Sequence, residues 1–362
     1  MRWQAAQDLI DKLRFSIMDE AKYRAFKKRL RQAFGYEDIY KDLKPINYAE
    51  HKFHGKIYYP FYNLYHPMGG SEEYKSSNGL SLYNEFGEKL ETFFIRDVHG
   101  AHAGTTRSRY IFWDRYDFSH KTHFYTHNSM LETMGKPDKR YGAFVESEAI
   151  CPEDYLIFEK HKGLEKDFDL IFTYSAKILD SISNARFSPL NAHIWDIDAI
   201  DDLYTRKTKN ISILSSNKAM CEIHKFRSHL AHFCKNEGLA DTFGTFDGGK
   251  FVPKLANVLS DYRYNICIEN DMTPYYFTER IINAFVAQTI PIYLGATKID
   301  EFFNPDGIIK FSPKDDIKKV LKQCTKEEYE RRLPAVLDNY QRVLKDYSGS
   351  AWDNMYKKYF KK

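Results

Sequence analysis

The sequence predicts a two-domain α/β protein built on parallel sheets, and three observations carry that reading. The chain has 362 residues, which at roughly 100–200 residues per domain fits two domains. Short apolar runs alternate with helix-patterned stretches from residue 56 onward, the pattern of parallel strands with helices on both faces. The composition, 43% hydrophobic and 29% charged, is that of a core-forming chain rather than a disordered one.

Each element follows from its local pattern. From Trp3 to Phe34 the apolar residues Ile10, Leu13, Ile17, Phe26, Leu30 and Phe34 recur at helical spacing, and Gly35 supplies a stop. This predicts an extra N-terminal amphipathic helical segment over residues 1–40, carrying the basic cluster Lys22, Arg24, Lys27, Lys28, Arg29 and Arg31. Strands are expected at Lys56–Tyr62, Thr92–Ile95, Arg109–Trp113 and Tyr141–Val145, giving a first Rossmann-like domain over residues 41–162. The charged, glycine-containing stretch 159–167 reads as a linker. The second domain, residues 163–345, opens with a strand at Phe168–Tyr174 and a helix-like AKILDSI. A strand at Ile211–Leu214 then leads through Ser215-Ser216-Asn217 to a helix at His224–Lys235. Next come a buried strand at Tyr264–Ile268, a helix at Thr278–Gln288, a strand at Ile290–Leu294, and a last pair at Ile308–Phe311 and Asp316–Gln323. Residues 346–362 read as a basic, aromatic C-terminal tail.

Charge and cysteines exclude several classes. Lys+Arg total 54 against 50 for Asp+Glu, and a net charge of +4 argues against a nucleic-acid partner. The five cysteines, Cys151, Cys221, Cys234, Cys267 and Cys324, are odd in number without C-x-x-C spacing, so neither a disulfide framework nor a zinc ribbon is expected. No run approaches the ~20 apolar residues of a membrane span, and the charged N-terminus does not read as a signal peptide. A cytoplasmic protein is expected. Its basic termini, with Lys357, Lys358, Lys361 and Lys362 at the end, either contact an anionic membrane at the inner face or are solvated helix faces packed on the body. Aromatic residues make up 16% of the chain and serve equally as cores or as faces for sugar rings.

The segment 264–295 carries the clearest chemistry. A buried strand ends at Glu269-Asn270, a polar loop follows, and Thr278 caps a helix whose first turn holds Glu279 and Arg280. A cation there opposes the helix macrodipole, and a bound phosphate would offset that cost. The plainer alternative is a strand-loop-helix with a surface arginine. Elsewhere, Asp97, His99 and His102 lie in a glycine-rich stretch that lacks a Walker motif. Without complementary ligands no metal is expected there, and contact with an acceptor or donor is the preferred reading. Asp196-Ile197-Asp198 reads as a solvated acidic loop, and His123 and His127 as loop or core histidines.

Within 264–295, Glu269-Asn270, Tyr276-Phe277-Thr278-Glu279-Arg280 and Ile290-Pro291-Ile292-Tyr293-Leu294-Gly295 stand in unbroken register. This resembles the donor-binding motif of the α1,3-fucosyltransferases, glycosyltransferase family 10, and Phe303-Asn304-Pro305 resembles the stretch that follows in bacterial members. The likeness is clear over 209–313. It implies two facing Rossmann-like domains (the GT-B architecture) and inverting transfer of L-fucose from GDP-β-L-fucose to an oligosaccharide or glycolipid hydroxyl, as an α1,3 linkage to GlcNAc or glucose. By the same resemblance, Asn270, Tyr276, Glu279 and Arg280 hold the nucleotide-sugar. The family usually has Lys where Arg280 stands. Ser216 and Asn217 match a family S-N dipeptide, and a diphosphate-neutralising arginine in the next helix falls on Arg227, with Lys225 the alternative. Glu146, with Glu148 in reserve, matches a bacterial E-x-E stretch whose first Glu is the general base. In strand geometry both carboxylates would point one way, and mutual repulsion would raise one of them.

The combined expectation is an enzyme with GDP-fucose as co-substrate, no required cofactor, and divalent cations at most stimulatory. Tyr62 and Tyr65, with His99 and His102, are the acceptor-side candidates. The alternatives are a transferase of another GDP-sugar and a catalytically silent carbohydrate-binding protein on the same fold.

Overall fold

The computed structural model describes residues 51–53, 56–58, 88–96, 108–114, 119–133, 135–194, 207–252 and 254–361. The expected N-terminal helix, Tyr62, Tyr65, Asp97, His99, His102 and the 196–202 acidic stretch lie outside them. Two compact units divide between Leu190 and Asn191, and the chain returns to the first unit from Ser350. A small antiparallel hairpin, β1 (His51–Phe53) with β2 (Lys56–Tyr58), precedes the first sheet.

The first unit holds β3 (Glu91–Arg96), β4 (Ile111–Asp114), β5 (Thr122–Thr126), β6 (Lys139–Ala143), β7 (Leu170–Thr173) and β8 (Ala185–Phe187). They form one parallel sheet in the order β4-β3-β5-β6-β7-β8. The second unit holds β9 (Lys209–Leu214), β10 (Asp241–Phe243), β11 (Tyr262–Ile268), β12 (Ile290–Leu294) and β13 (Ile309–Lys310), parallel in the order β10-β9-β11-β12-β13. Each is a doubly wound sheet whose winding reverses beside its first strand. The two switch points, between β3 and β5 and between β9 and β11, are where such sheets bind ligands. Strand β12 (IPIYL) is buried throughout, as a strand covered on both faces must be.

The structure corrects one expectation and decides between alternatives in two others. The first is the boundary: β7 pairs with β6 through Tyr141↔Leu170 to Ala143↔Phe172, so residues 163–190 belong to the first unit. Residues 159–167 are a polar βαβ crossover, whose solvent-facing charge has the composition of a linker. In the second, the core alternative holds for the histidines of KTHFYTHNS, since His123 and His127 are wholly buried, and the segment adds a strand the pattern had not marked, β5, interior to the first sheet.

The third is the C-terminal segment, where the packed-helix alternative holds. Residues Lys326–Asp346 form a long helix, and Ala351–Tyr359 a second one that packs on the first sheet. Trp352 meets Trp113 edge-on at 5.1 Å and Phe124 at 6.0 Å, and Tyr110 stacks on Tyr356 at 5.0 Å. The buried Asp353 carboxylate accepts hydrogen bonds from the Ser108 hydroxyl and, at 2.9 Å, from the Arg109 N–H. Tyr359 donates to the Phe187 carbonyl at 2.7 Å. The apolar face that would enter a lipid surface is therefore committed to the core, and much of the aromatic content is core packing. No helix among the described residues is long and apolar enough to cross a membrane.

Candidate functional site

The second sheet's switch point gathers the residues of the 264–295 motif. Where β11 ends, the Glu269 carboxylate is wholly buried and braces the loop. Its two oxygens accept hydrogen bonds from the Thr278 N–H at 3.0 Å and the Thr278 hydroxyl at 2.7 Å. Thr278 in turn caps helix Glu279–Val286 by accepting from the Arg280 N–H at 3.3 Å. Burial, then the nearby Glu279, pushes the Glu269 carboxyl up to about 7. A Cβ at Gly295 would lie 2.4 Å from the Tyr293 hydroxyl and 2.5 Å from Glu269 Cγ. That close approach gives the motif's terminal glycine a steric reason.

Asn270 is the hub. Its Oδ1 accepts from Arg227 Nη1 at 3.1 Å and pairs with His224 Nε2 at 2.8 Å. His224 Nδ1 accepts from the Met220 N–H at 3.3 Å, which leaves the proton on Nε2 to be donated to Asn270. Burial, then the Arg227 charge, pulls His224 down to about 4, so the ring is neutral at physiological pH. Arg227 is almost wholly buried. It also donates to the Ile268 carbonyl at 3.0 Å, while its Nε finds no acceptor. Burial, then Arg280, lowers it to about 9, still charged at neutral pH. No carboxylate among the described residues stands within ion-pair distance of Arg227 or of the half-buried Arg280. Two neighbouring cations, one fully desolvated, thus have no carboxylate partner among the described residues, an arrangement in which an anionic ligand would be stabilised.

Helix Glu222–Asn236 turns its two candidate basic residues in different directions. Arg227 faces the switch point, whereas Lys225 is exposed and pairs with Glu222 at 2.6 Å on the outer surface. Ser216 and Asn217 follow β9 as expected. The Ser216 hydroxyl accepts from the Lys218 N–H at 3.4 Å, and the exposed Asn217 donates its N–H to Thr245 Oγ1 at 3.3 Å. Glu279 is half-buried, with its N–H on the Asn191 carbonyl at 2.8 Å. Tyr276 is buried, so it helps build the loop rather than offering an open stacking face. The sequence reading passed over His224 as a functional residue. Its position three residues before Arg227, on the same face of one helix, was the available signal.

In the first unit, β6 stops at Ala143, and Glu146 and Glu148 lie in the following turn. Strand alternation therefore does not align them. Glu146 Oε1 accepts from the Ser147 N–H at 2.8 Å, whereas Glu148 Oε2 reaches the Ser175 hydroxyl at 3.5 Å. No cluster of His, Cys, Asp and Glu suited to a metal occurs among the described residues. The five cysteines are free thiols, four of them buried.

Residues 204–332 match the profile described as glycosyltransferase family 10 (fucosyltransferase), C-terminal part. This stretch is thus similar to the C-terminal part of the family 10 glycosyltransferases. The α-(1,3)-fucosyltransferase of Helicobacter pylori is 43% identical over 51 residues, 14% of this chain and 11% of the relative. The α-(1,3)-fucosyltransferase B of Drosophila melanogaster is 30% identical over 98 residues, 23% of this chain and 22% of the relative. The matched regions thus span less than a quarter of either curated relative. A solved α1,3-fucosyltransferase with GDP covers 78% of this chain and 93% of its own length, at 14% identity and a TM-score of 0.45. The matched stretch runs from before β9 into helix Lys326–Asp346 and contains Arg227, Asn270, Glu279 and Arg280, but not Glu146.

Proposed function

We propose that the protein is an inverting fucosyltransferase that moves L-fucose from GDP-β-L-fucose to an oligosaccharide hydroxyl, in an α1,3 linkage to GlcNAc or glucose. The observation that carries this reading is the pair of arginines without a carboxylate partner, Arg227 and Arg280, at the switch point of the stretch similar to family 10. A nucleoside diphosphate fits that deficit in charge and in place. Asn270 holds Arg227 in position, and Glu279 takes sugar or ribose hydroxyls. Ser216, Asn217 and Tyr276 shape the donor loops.

In the proposed reaction the acceptor oxygen attacks C1 of fucose from the face opposite GDP, and the Glu146 carboxylate takes its proton. The bond from C1 to the β-phosphate oxygen breaks, and the charge growing on GDP is stabilised by Arg227 and Arg280. These groups perform the electrostatic task without a required cofactor, so a divalent cation is at most stimulatory. Acceptor recognition is assigned to the first unit and to Tyr62, Tyr65, His99 and His102.

A donor screen by GDP release, GDP-fucose against GDP-mannose over LacNAc-type and bacterial glycans, tests the reading. Faster release from GDP-mannose would replace fucose as the donor sugar. Binding of GDP-fucose without turnover on any acceptor would favour a carbohydrate-binding protein on this fold.

A further inference from the structure

The end of β5, at the first sheet's switch point, carries a histidine in an unusual state. His127 is wholly buried and adopts φ +51°, the left-handed region that non-glycine residues seldom occupy. Such backbone persists only where the surroundings over-determine it. Its Nε2 accepts two main-chain hydrogen bonds, from the Val145 N–H at 3.0 Å and the Glu146 N–H at 2.9 Å. A ring nitrogen that accepts carries no proton, so the proton sits on Nδ1, which faces the buried Asp154 Oδ2 at 3.2 Å. Phe144 and Tyr155 meet the ring edge-on at 5.6 and 6.2 Å.

The same turn is held from two further sides. The Tyr155 hydroxyl donates to the Glu146 carbonyl at 2.6 Å, and the Glu148 N–H donates to the Tyr174 hydroxyl at 2.5 Å. The main chain of Val145–Glu148 is thus tied to side chains at 127, 155 and 174, contributed by three separate elements. The Glu146 carboxylate itself stays half-buried, touching its neighbour Ser147 and no cation among the described residues. A rigid backbone beneath a carboxylate without a cationic partner is how a general base is presented rather than how an ion pair is built.

We propose that His127 and Asp154 are positioning residues for the transfer reaction: they lock the Val145–Glu146 main chain so that the Glu146 carboxylate meets the acceptor hydroxyl. The two main-chain N–H groups on Nε2 set the tautomer, the Asp154 carboxylate lies beside the resulting Nδ1–H at 3.2 Å, and His127 holds the turn. The inference rests on the assignment of Glu146 as the base.

The test compares His127→Phe, which keeps a ring but no acceptor, with His127→Gln, which keeps an acceptor at similar reach. Each is measured alone and combined with Glu146→Gln, for kcat, acceptor KM and GDP affinity in the full chain. His127→Phe is expected to lower kcat by about 100-fold, the scale of a 1 Å misplacement, with GDP affinity unchanged. His127→Gln should recover most of that loss, and His127→Phe should add less than about 3-fold to Glu146→Gln, because residues acting as a unit are not additive. Asp154→Leu leaves the imidazole in place and carries the test if His127→Phe does not fold; a smaller loss of kcat with GDP affinity kept is expected. Unchanged kcat in both His127→Phe and Asp154→Leu, or full additivity with Glu146→Gln, would overturn the positioning role while leaving Glu146 as the base. Undiminished turnover in Glu146→Gln would instead remove the base assignment itself, and the positioning role with it.

Discussion

The two sheets wind in the same way, yet their switch points are built differently. In the second unit the site comes from one strand-loop-helix plus one neighbouring helix. Asn270, Thr278, Glu279 and Arg280 lie within eleven consecutive residues, and His224 and Arg227 share a helix face. In the first unit the Glu146 turn is assembled from residues 127, 146, 155 and 174, and depends on a left-handed histidine. One unit presents uncompensated positive charge, the other an unpaired carboxylate. The difference teaches that a site written into local sequence can be read directly, whereas one held by crossing hydrogen bonds emerges only when the strands are in place.

Removing the packing of the first unit breaks the comparison most severely. Trp352→Ala deletes the ring that touches Trp113 and Phe124 and is expected to cost about 3–5 kcal/mol. Denaturant unfolding should show this loss while GDP binding, assigned to the other unit, survives. Arg227→Met comes next. GDP affinity should fall by about 100- to 1,000-fold, on the scale of losing one preorganised donor at such a site. The ligand-free protein should gain Tm, since an uncompensated buried charge has gone. Calorimetric titration and thermal melts measure the two effects, and a parallel fall of both would assign Arg227 a structural role only.

Gly295→Ala forces a methyl against Tyr293 and Glu269 and is expected to destabilise by about 1–3 kcal/mol, read from the unfolding midpoint.

Two buried groups should tilt the pH dependence in opposite directions. His224 is lowered to about 4 from its ordinary 6.5. Between those values the unfolded state binds the extra proton, so its contribution to stability is lost as pH falls from 6.5 towards 4. Glu269 is raised to about 7 from 4.5. The folded state holds the extra proton in that window, and stability declines as pH rises through it. Denaturant unfolding between pH 4.5 and 8 should show each slope flatten in His224→Gln and Glu269→Gln respectively, each by up to about 3 kcal/mol across its window. Unaltered slopes would show that neither group titrates as described. The smallest effect sharpens the choice in helix Glu222–Asn236: Lys225→Ala should leave GDP affinity within about 3-fold, because it breaks only an exposed ion pair.

Legibility followed the range of the interactions. Strand Ile290–Leu294 was readable to the residue, and helix Thr278–Gln288 nearly so, because an apolar run and a threonine cap are local signals. Arg227 and Lys225 stayed ambiguous because both sit on one helix, and only the direction each side chain takes separates them. The polar crossover at 159–167 suggested a domain boundary because solvent-facing charge has the same composition in either role. His127 read as one more loop or core histidine because its partners lie up to 27 positions along the chain.

By itself the sequence determined the parallel α/β class, most strands of the second unit and the cluster of donor-site candidates around Asn270 and Arg280. Amphipathic period, capping and motif spacing act over a few residues and survive in one dimension. Only the tertiary structure decided that Leu170–Thr173 joins the first sheet, that the helix Ala351–Tyr359 returns to cover it, and that His127 grips the Glu146 turn. Parallel pairing and chain return join residues tens to hundreds of positions apart. Which of the sterically equivalent pairings forms depends on the packing of the whole core, and no local pattern carries that information.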